Sequence, residues 1–178
     1  MPGKGKRVYD VPLTYEDYRL MPEGERYELI EGDLQMTPAP SPRHQLVVAA
    51  VEDALRHFVR EHSLGTVLMA PVDVVLSETV VVQPDVLFIA QERLGLLQEE
   101  CIRGAPDLVV EVLSPSSAKR DRLSKRRLYA RFGVREYWMV DPIAKNVEVC
   151  LHDETDLRTV AVYPTGSTLA SSVLPGSR

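Results

Sequence analysis

The chain has 178 residues, of which 44% are hydrophobic and 26% charged, and this near-average composition argues against a wholly disordered or fibrous protein. The formal net charge of −5 hides a split, because residues 119–135 carry eight basic residues and one acid, a sum of +7, whereas the remainder carries −12. A nucleic-acid partner is therefore not excluded. No segment approaches the ~20 apolar residues of a membrane helix, and residues 1–10 lack a signal-peptide core. We expect a cytoplasmic protein without membrane contact.

Apolar periodicity and breaker residues divide the chain into helices and strands. In chain order the predicted elements are a helix at residues 15–20, strands at 26–31 and 34–37, a helix at 43–62, strands at 66–76 and 80–89, a short helical or irregular segment at 91–104, a strand at 107–113, a helix at 118–132 and strands at 136–140, 146–151 and 158–163. Thr14 can cap the first helix, and Gly32-Asp33 can form the turn between the first two strands. This order predicts an α/β fold of the α+β type, with a mixed central sheet flanked by helices. Residues 1–11 are expected to be a disordered tail, and residues 12–178 a single domain.

Two acidic residues interrupt apolar strands. Glu111 alternates with Val109 and Leu113 on one strand face, and Asp85 follows Pro84 in an equally apolar segment. A lone buried carboxylate is costly and must be neutralised, paired or bound to a cation. If the two acids lie on neighbouring strands, Mg²⁺ between them would relieve their repulsion, since this ion binds one or two carboxylates and keeps its waters. The open alternative is that Asp85 caps a turn and Glu111 pairs with a core arginine.

One lysine of the predicted basic helix points inward. On a helical wheel Lys125 lies in the apolar face beside Leu128 and Tyr129, whereas the other basic residues lie on the flanks or the opposite side. A sheet-facing ammonium needs carboxylate partners, and Glu111 lies shortly upstream. An acidic pair, an inward lysine and an outward basic face together indicate phosphate-ester chemistry. The alternative is a lysine that extends past the edge of the core to solvent.

Three further residues give weaker signals. Glu28 lies in a strand, out of phase with its apolar neighbours, and either reaches the same site or is solvated. Asp73 is interpreted as an edge charge or a support for the site, and His44 as a cap or a solvated residue. The sequence has no glycine-rich phosphate loop, metalloprotease histidine pair or serine-nucleophile turn.

Taken together, these motifs resemble the Uma-two family of restriction-endonuclease-like proteins, within the PD-(D/E)XK nuclease superfamily. The resemblance covers nearly the whole chain. It is carried by residues 26–34 (RYELIEGDL), 41–44 (SPRH), 83–86 (QPDV), 106–116 (PDLVVEVLSPS) and 136–138 (EYW), with Asp121, Lys125, Tyr129, Gly133-Val134 and Asp141-Pro142.

The resemblance implies a restriction-endonuclease-like sheet with a metal site at a split between strands. Asp85 matches the aspartate of the PD motif, Glu111 the acid of the (D/E)XK motif, and Glu28 the acid of the first motif. The superfamily lysine expected two residues after Glu111 is replaced by Leu113, and Lys125 matches a lysine displaced into the next helix. The implied site thus has Glu28, Asp85, Glu111 and Lys125 as catalytic residues, Asp85 and Glu111 as ligands of Mg²⁺ or Mn²⁺, and Asp73, His44, Asp121 and Tyr129 as supporting residues.

The expected function is metal-dependent hydrolysis of DNA phosphodiester bonds. Five basic residues of the predicted helix would contact phosphates, namely Lys119, Arg120, Arg122, Arg126 and Arg127. Two alternatives stay open: a catalytically inactive nuclease fold that binds nucleic acid or mediates assembly, and an unrelated α/β protein whose charges are structural. A homo-oligomer, dimeric or larger, is expected, because nuclease folds of this size often pair to cut two strands.

Overall fold

A computed structural model describes residues 11–22, 24–114 and 121–176, which form two mixed sheets and a few helices. The strands are β1 (Tyr27–Ile30), β2 (Asp33–Met36), β3 (Gly65–Met69), β4 (Val74–Ser77), β5 (Val80–Val82), β6 (Val86–Ala90), β7 (Ile102–Arg103), β8 (Leu108–Val112), β9 (Glu136–Asp141), β10 (Asn146–His152) and β11 (Leu157–Pro164). The helices are α1 (Tyr15–Tyr18), α2 (Pro42–Glu61) and α3 (Arg126–Arg131), with a 3-10 helix at Gln91–Leu96 and a π-helical turn at Asp121–Lys125. No helix among these residues is long and apolar enough to cross a membrane.

The elements stack in layers, with the two sheets in the middle. The first sheet has the order β2-β1-β5-β4-β7, and the second has the order β11-β10-β9-β8-β6-β3. Alternate residues of a strand face opposite layers, so Val81 packs towards α1 whereas Val80 and Val82 face the second sheet. In the second sheet Val109 faces the first sheet and Val110 packs towards α2. This arrangement confirms the predicted mixed α+β fold, with the strands divided between two sheets.

β8 is the central strand that its apolar sequence predicts. It pairs with β6 in antiparallel and with β9 in parallel orientation, and all five of its residues are buried. Because Glu111 shares the face of Val109, its carboxylate points into the core between the two sheets. The local alternation in the sequence therefore places this acid correctly.

Two prolines divide the strands predicted at residues 66–76 and 80–89. Pro71 and Pro84 interrupt these segments, and each segment becomes two strands that belong to different sheets. A proline lacks the amide N–H that a sheet ladder needs, so both breaks follow from the chain chemistry. The chain consequently crosses from the first sheet to the second at residues 83–85.

The hairpin between β1 and β2 turns one residue earlier than predicted. Ile30 pairs with Asp33, so the turn residues are Glu31 and Gly32 rather than Gly32-Asp33. Both have positive φ, 55° and 78°, as a turn that matches the right-handed strand twist requires. A Cβ atom on Gly32 would lie 2.4 Å from the Cβ of Pro12, so close packing as well as φ requires glycine here.

The predicted helices agree with the structure except near their ends. The Thr14 side chain caps α1 as expected, and Ser41 caps α2. The helix predicted at residues 118–132 is present as the π-helical turn followed by α3, and its residues 118–120 lie outside the description. Of residues 121 and 122 only the backbone is described. The predicted tail, residues 1–11, also lies outside it apart from Val11.

A buried carboxylate attaches the C-terminal segment to the second sheet. Glu136 is fully buried and accepts hydrogen bonds from the Trp138 indole at 2.6 Å and from the Ser172 amide and hydroxyl at 2.8 and 2.6 Å. The amide of Val173 adds a longer bond of 3.3 Å. Since its oxygens are hydrogen-bonded in this way, Glu136 holds the segment without needing a cation.

Candidate active site

A buried lysine joins carboxylates from the two sheets. Lys125 Nζ lies 2.8 Å from Glu111 Oε1 and 2.9 Å from Glu28 Oε1, and its side chain is only 6% exposed. Glu28 comes from β1 of the first sheet and Glu111 from β8 of the second. The inward orientation predicted for Lys125 is confirmed, and among the described residues this lysine forms an ion pair with Glu111.

The strand register places Asp85 beside this cluster. Val86 of β6 pairs with Val110 of β8, and continuing the antiparallel register by one residue puts Asp85 opposite Glu111. Asp85 stands where the chain has just crossed between the sheets, next to Pro84. Asp85 and Glu111 thus lie on adjoining segments of the chain, the condition under which the sequence predicts a shared cation.

Asp85 is held by the end of β8 and by the first turn of α2. Its Oδ2 accepts a hydrogen bond of 2.8 Å from the Val112 amide and lies 3.2 Å from His44 Nε2. The same nitrogen lies 3.0 Å from the Val112 carbonyl oxygen. Both neighbours are acceptors, so Nε2 carries the proton and donates to each. The hydrogen bond to Asp85 raises the pKa of His44 above its ordinary value. His44 thus contacts Asp85, where the resemblance implies a supporting residue, and is not simply a cap or a solvated residue.

Tyr129 of α3 fixes the other acid. Its hydroxyl donates a hydrogen bond of 2.7 Å to Glu111 Oε1, and its ring is fully buried. Burial, reinforced by the nearby Glu111 charge, raises the Tyr129 pKa well above its ordinary value, so the hydroxyl stays a donor. Tyr129 lies where a supporting residue was expected.

A second polar network reaches the site through Gln83. The Gln83 amide N–H donates to Glu28 Oε1 at 3.2 Å, and its side-chain nitrogen donates to Asp73 Oδ1 at 2.8 Å. Tyr18 also donates to Asp73, at 2.8 Å, and Arg26 donates to the Gln83 side-chain oxygen at 3.0 Å. Asp73 therefore supports Glu28 indirectly. Gln83 and Tyr18 were missed, although the position of Gln83 two residues before Asp85 was a usable signal.

A groove opens beside Lys125, between the β1–β2 hairpin and α3, and we name it the hairpin–helix groove. Glu28, Ile30 and Gln35 line its hairpin side, and Lys125 and Leu128 lie on its helix side. Its volume is about 380 Å³. The ion pair between Lys125 and Glu28 lies where the groove meets the carboxylate cluster.

The basic residues of the helix differ in their surroundings. Arg126 donates to the Leu157 carbonyl and, at 3.3 Å, to the Thr159 hydroxyl, so its guanidinium binds the edge of β11. Arg127 is exposed and lines the hairpin–helix groove. The predicted contacts of Lys119 and Arg120 lie outside the described residues, as do the side chains of Asp121 and Arg122.

The donor set can be tested against the cation that the resemblance implies. Asp85 and Glu111 offer hard carboxylate oxygens, and in the described part of the chain the polar contacts of the Asp85 side chain involve Oδ2. In that part, no group of three His, Cys, Asp or Glu residues is arranged to hold one metal ion. Two carboxylates fit Mg²⁺ or Mn²⁺ that keeps several waters, and they do not fit an ion that needs a full protein cage.

Comparison with known proteins agrees with this geometry. The chain resembles the solved structure described as a "putative nuclease belonging to DUF820" from Anabaena variabilis, with a TM-score of 0.72, 20% sequence identity and 92% of each chain covered. At this identity the likeness concerns the fold. No curated protein matches the chain. The family model Uma2, described as "Putative restriction endonuclease", matches residues 14–178. The chain therefore belongs to the Uma2 family of restriction-endonuclease-like proteins.

Proposed function

We propose that this protein is a metal-dependent endonuclease that hydrolyses phosphodiester bonds in DNA. The observation that carries the proposal is the hydrogen bond of Asp85 to the Val112 amide, one residue after Glu111, with the Lys125 ammonium 2.8 Å from Glu111. Two carboxylates and a lysine are the groups that phosphodiester hydrolysis needs to bind a cation, activate water and neutralise charge.

Lys125 supplies from a helix the positive charge that the superfamily places in the strand. Leu113, two residues after Glu111, is buried in the core, so that position offers no cation. The Lys125 ammonium is adjacent to both Glu111 and the hairpin–helix groove. It would orient the attacking water and offset the negative charge that develops on the phosphate oxygens.

The supporting residues keep the acids in place. Tyr129 and Lys125 both donate to Glu111 Oε1, whereas His44 and the Val112 amide both donate to Asp85 Oδ2. Mg²⁺ or Mn²⁺ held by these two carboxylates would lower the pKa of a bound water and stabilise charge on the phosphate. A metal site requires such hydrogen-bond donors to each carboxylate, because the neighbours of a metal ligand orient it.

Cleavage of supercoiled plasmid DNA tests this function. We expect wild-type protein to nick the plasmid with Mg²⁺ or Mn²⁺ and not with EDTA, and we expect Asp85→Ala to reduce nicking to background. Asp53→Ala, an exposed acid of α2, is the matched control and should cut normally. Full activity of Asp85→Ala, or no activity of the wild type with any divalent cation and DNA substrate, would contradict the proposal.

A second candidate is a nuclease fold that acts without catalysis, as a nucleic-acid-binding or assembly module. One observation favours it: the Lys125 ammonium already contacts Glu111 and Glu28, so the chain itself offsets part of their negative charge without a metal ion. Isothermal titration with Mg²⁺ and Mn²⁺ separates the candidates. Binding that is lost in Asp85→Ala supports the nuclease, and no binding in the wild type supports the module.

The remaining proposals concern the state of the protein in the cell. We propose that the protein is cytoplasmic and that residues 12–178 form one domain. We also propose that it is a homo-oligomer, because cutting both strands of a duplex calls for two sites. Light scattering during size-exclusion chromatography gives the molar mass directly. A mass of 20.0 kDa, that of one chain, would contradict the oligomer.

A further inference from the structure

Several side chains of the hairpin–helix groove have no part in the chemistry proposed above. Ile30 and Leu128 give the groove apolar surface on two sides. Gln35 and Ser124 also line it, and within the described residues their side chains make no hydrogen bond. The groove thus combines apolar walls with amide and hydroxyl groups that remain available to a ligand.

The charges around the groove leave it able to accept an anion. Glu28 is paired with Lys125, which also pairs with Glu111, and Glu31 is paired with Arg131, so each acid of the lining has a cationic partner. Arg127 lines the groove as well, and it has no ion-pair partner in the part of the chain that the structure describes. A phosphate group at this position would gain a direct contact with the Arg127 guanidinium.

We propose that the hairpin–helix groove binds one unpaired nucleotide of the DNA strand, next to the phosphodiester held at the carboxylates. The base would lie between Ile30 and Leu128, its polar edge would meet Gln35 and Ser124, and its phosphate would meet Arg127. The groove touches Lys125, so a nucleotide bound there is adjacent to the site of hydrolysis. This inference rests on the proposed nuclease function for its choice of ligand.

The size of the groove indicates which form of DNA it accepts. A volume of about 380 Å³ is near the lower end of small-ligand pockets, ~300–1,000 Å³. One nucleotide fits such a space and a base pair with its partner strand does not. A duplex must unpair a nucleotide before it can occupy the groove, and unpairing costs free energy unless the base is already mismatched or single-stranded. The protein therefore selects single-stranded or locally unpaired DNA.

Binding without cleavage tests this inference. The probe is a fluorescein-labelled 12-nucleotide DNA strand, used alone, as a perfect duplex, and as a duplex with one unpaired central nucleotide. Fluorescence anisotropy in EDTA gives the three affinities. We expect the single strand and the bulged duplex to bind at least about tenfold more tightly than the perfect duplex, because only the latter has to unpair a base.

Variants locate the effect in the groove. Ile30→Trp fills the groove with a larger side chain. Gln35→Ala removes the side-chain amide with little effect on packing, so Gln35→Ala tests the same groove if Ile30→Trp does not fold. Both should weaken binding of the single strand and leave binding of the perfect duplex unchanged. Arg127→Ala should lower the salt dependence of binding. Arg60→Ala, an exposed arginine of α2, is the matched control.

The outcomes separate this inference from the proposed function. Equal affinity for all three probes, or a preference that Ile30→Trp and Gln35→Ala leave intact, would overturn the nucleotide site even if the protein cuts plasmid DNA. A preference for unpaired DNA that both variants remove would support the site, even if cleavage fails with every divalent cation. Circular dichroism spectra of each variant show whether the fold is retained.

Discussion

Lys125 Nζ lies 2.8 Å from Glu111 Oε1, and both side chains are at most 6% exposed. The two residues stand on a helix and on the central strand β8, and the same ammonium also contacts Glu28. Ion pairs buried in this way are expensive to break, because removal of one partner leaves a charge without compensation in the core. The pair therefore contributes both to the proposed chemistry and to the stability of the fold.

Replacement of this lysine should destabilise the protein strongly. We expect Lys125→Met to lower the free energy of unfolding by about 3–5 kcal/mol, because Glu111 and Glu28 then face each other without the ammonium. Urea denaturation followed by circular dichroism measures the change. The exposed Lys145→Met is the control and should have little effect. If Lys125→Met unfolds at the wild-type urea concentration, the ion pair is not formed in solution.

The Tyr129 hydroxyl should matter for Glu111 as well as for packing. Tyr129→Phe keeps the ring and removes one donor to a buried carboxylate, so we expect a loss of about 1.5–3 kcal/mol in unfolding free energy. If the bond also orients Glu111, the variant should bind Mn²⁺ more weakly than the wild type in a calorimetric titration. Tyr163→Phe, on the half-buried Tyr163 of β11, is a matched control. Unchanged stability together with unchanged Mn²⁺ affinity would contradict this role.

Tyr18 should make the protein sensitive to alkaline pH. Burial and, to a smaller extent, the hydrogen bond to Asp73 raise the pKa of Tyr18 above the ordinary value of 10.0. Because the pKa is higher in the folded than in the unfolded chain, this stabilisation is complete below about pH 10 and decreases as the pH rises further. The unfolding free energy of Tyr18→Phe should therefore fall less steeply above about pH 10 than that of the wild type. Parallel curves for the two proteins would refute the assignment.

Glu136 should control the order of the C-terminal segment. Glu136→Gln keeps one carbonyl oxygen and replaces the other by an amide nitrogen. Either the Trp138 indole, which donates to Oε1, or the Ser172 and Val173 amides, which donate to Oε2, then lose their acceptor. We expect a loss of roughly 2 kcal/mol in unfolding free energy. Hydrogen exchange should quicken at the amides of Ser172 and Val173, which now donate to this carboxylate. The exposed Glu154→Gln is the control, and equal exchange rates in both variants would show that the segment is held by its apolar contacts.

Local sequence patterns predicted part of the site, and the rest depends on how the sheets meet. Alternation in β8 placed Glu111 on the inner face, and the helical wheel placed Lys125 opposite it. Neither pattern carries information about contacts between sheets. Gln83 and Tyr18, the hydrogen-bond partners of Asp73, were therefore missed, since their network forms only where the chain crosses from one sheet to the other.

The contacts of the basic helix could not be predicted from its own sequence either. Its charge pattern indicated an outward face for DNA, yet Arg126 binds the edge of β11, a strand that follows it in the chain.

The turn between β1 and β2 lies at Glu31-Gly32, one residue earlier than predicted. The reason is that Glu31 adopts a left-handed conformation, which residue propensities assign first to glycine.

The division of the strands between two sheets has a consequence for folding. Glu28 and Glu111 lie 83 positions apart in the sequence, and Lys125 joins them only when both sheets and α3 have packed together. Contacts between distant parts of a chain form late, because their loop-closure entropy must be overcome first. A nascent or partly unfolded chain would thus expose these charges separately and have no competent site. Under the proposed function, hydrolysis of DNA would therefore begin only when folding is complete.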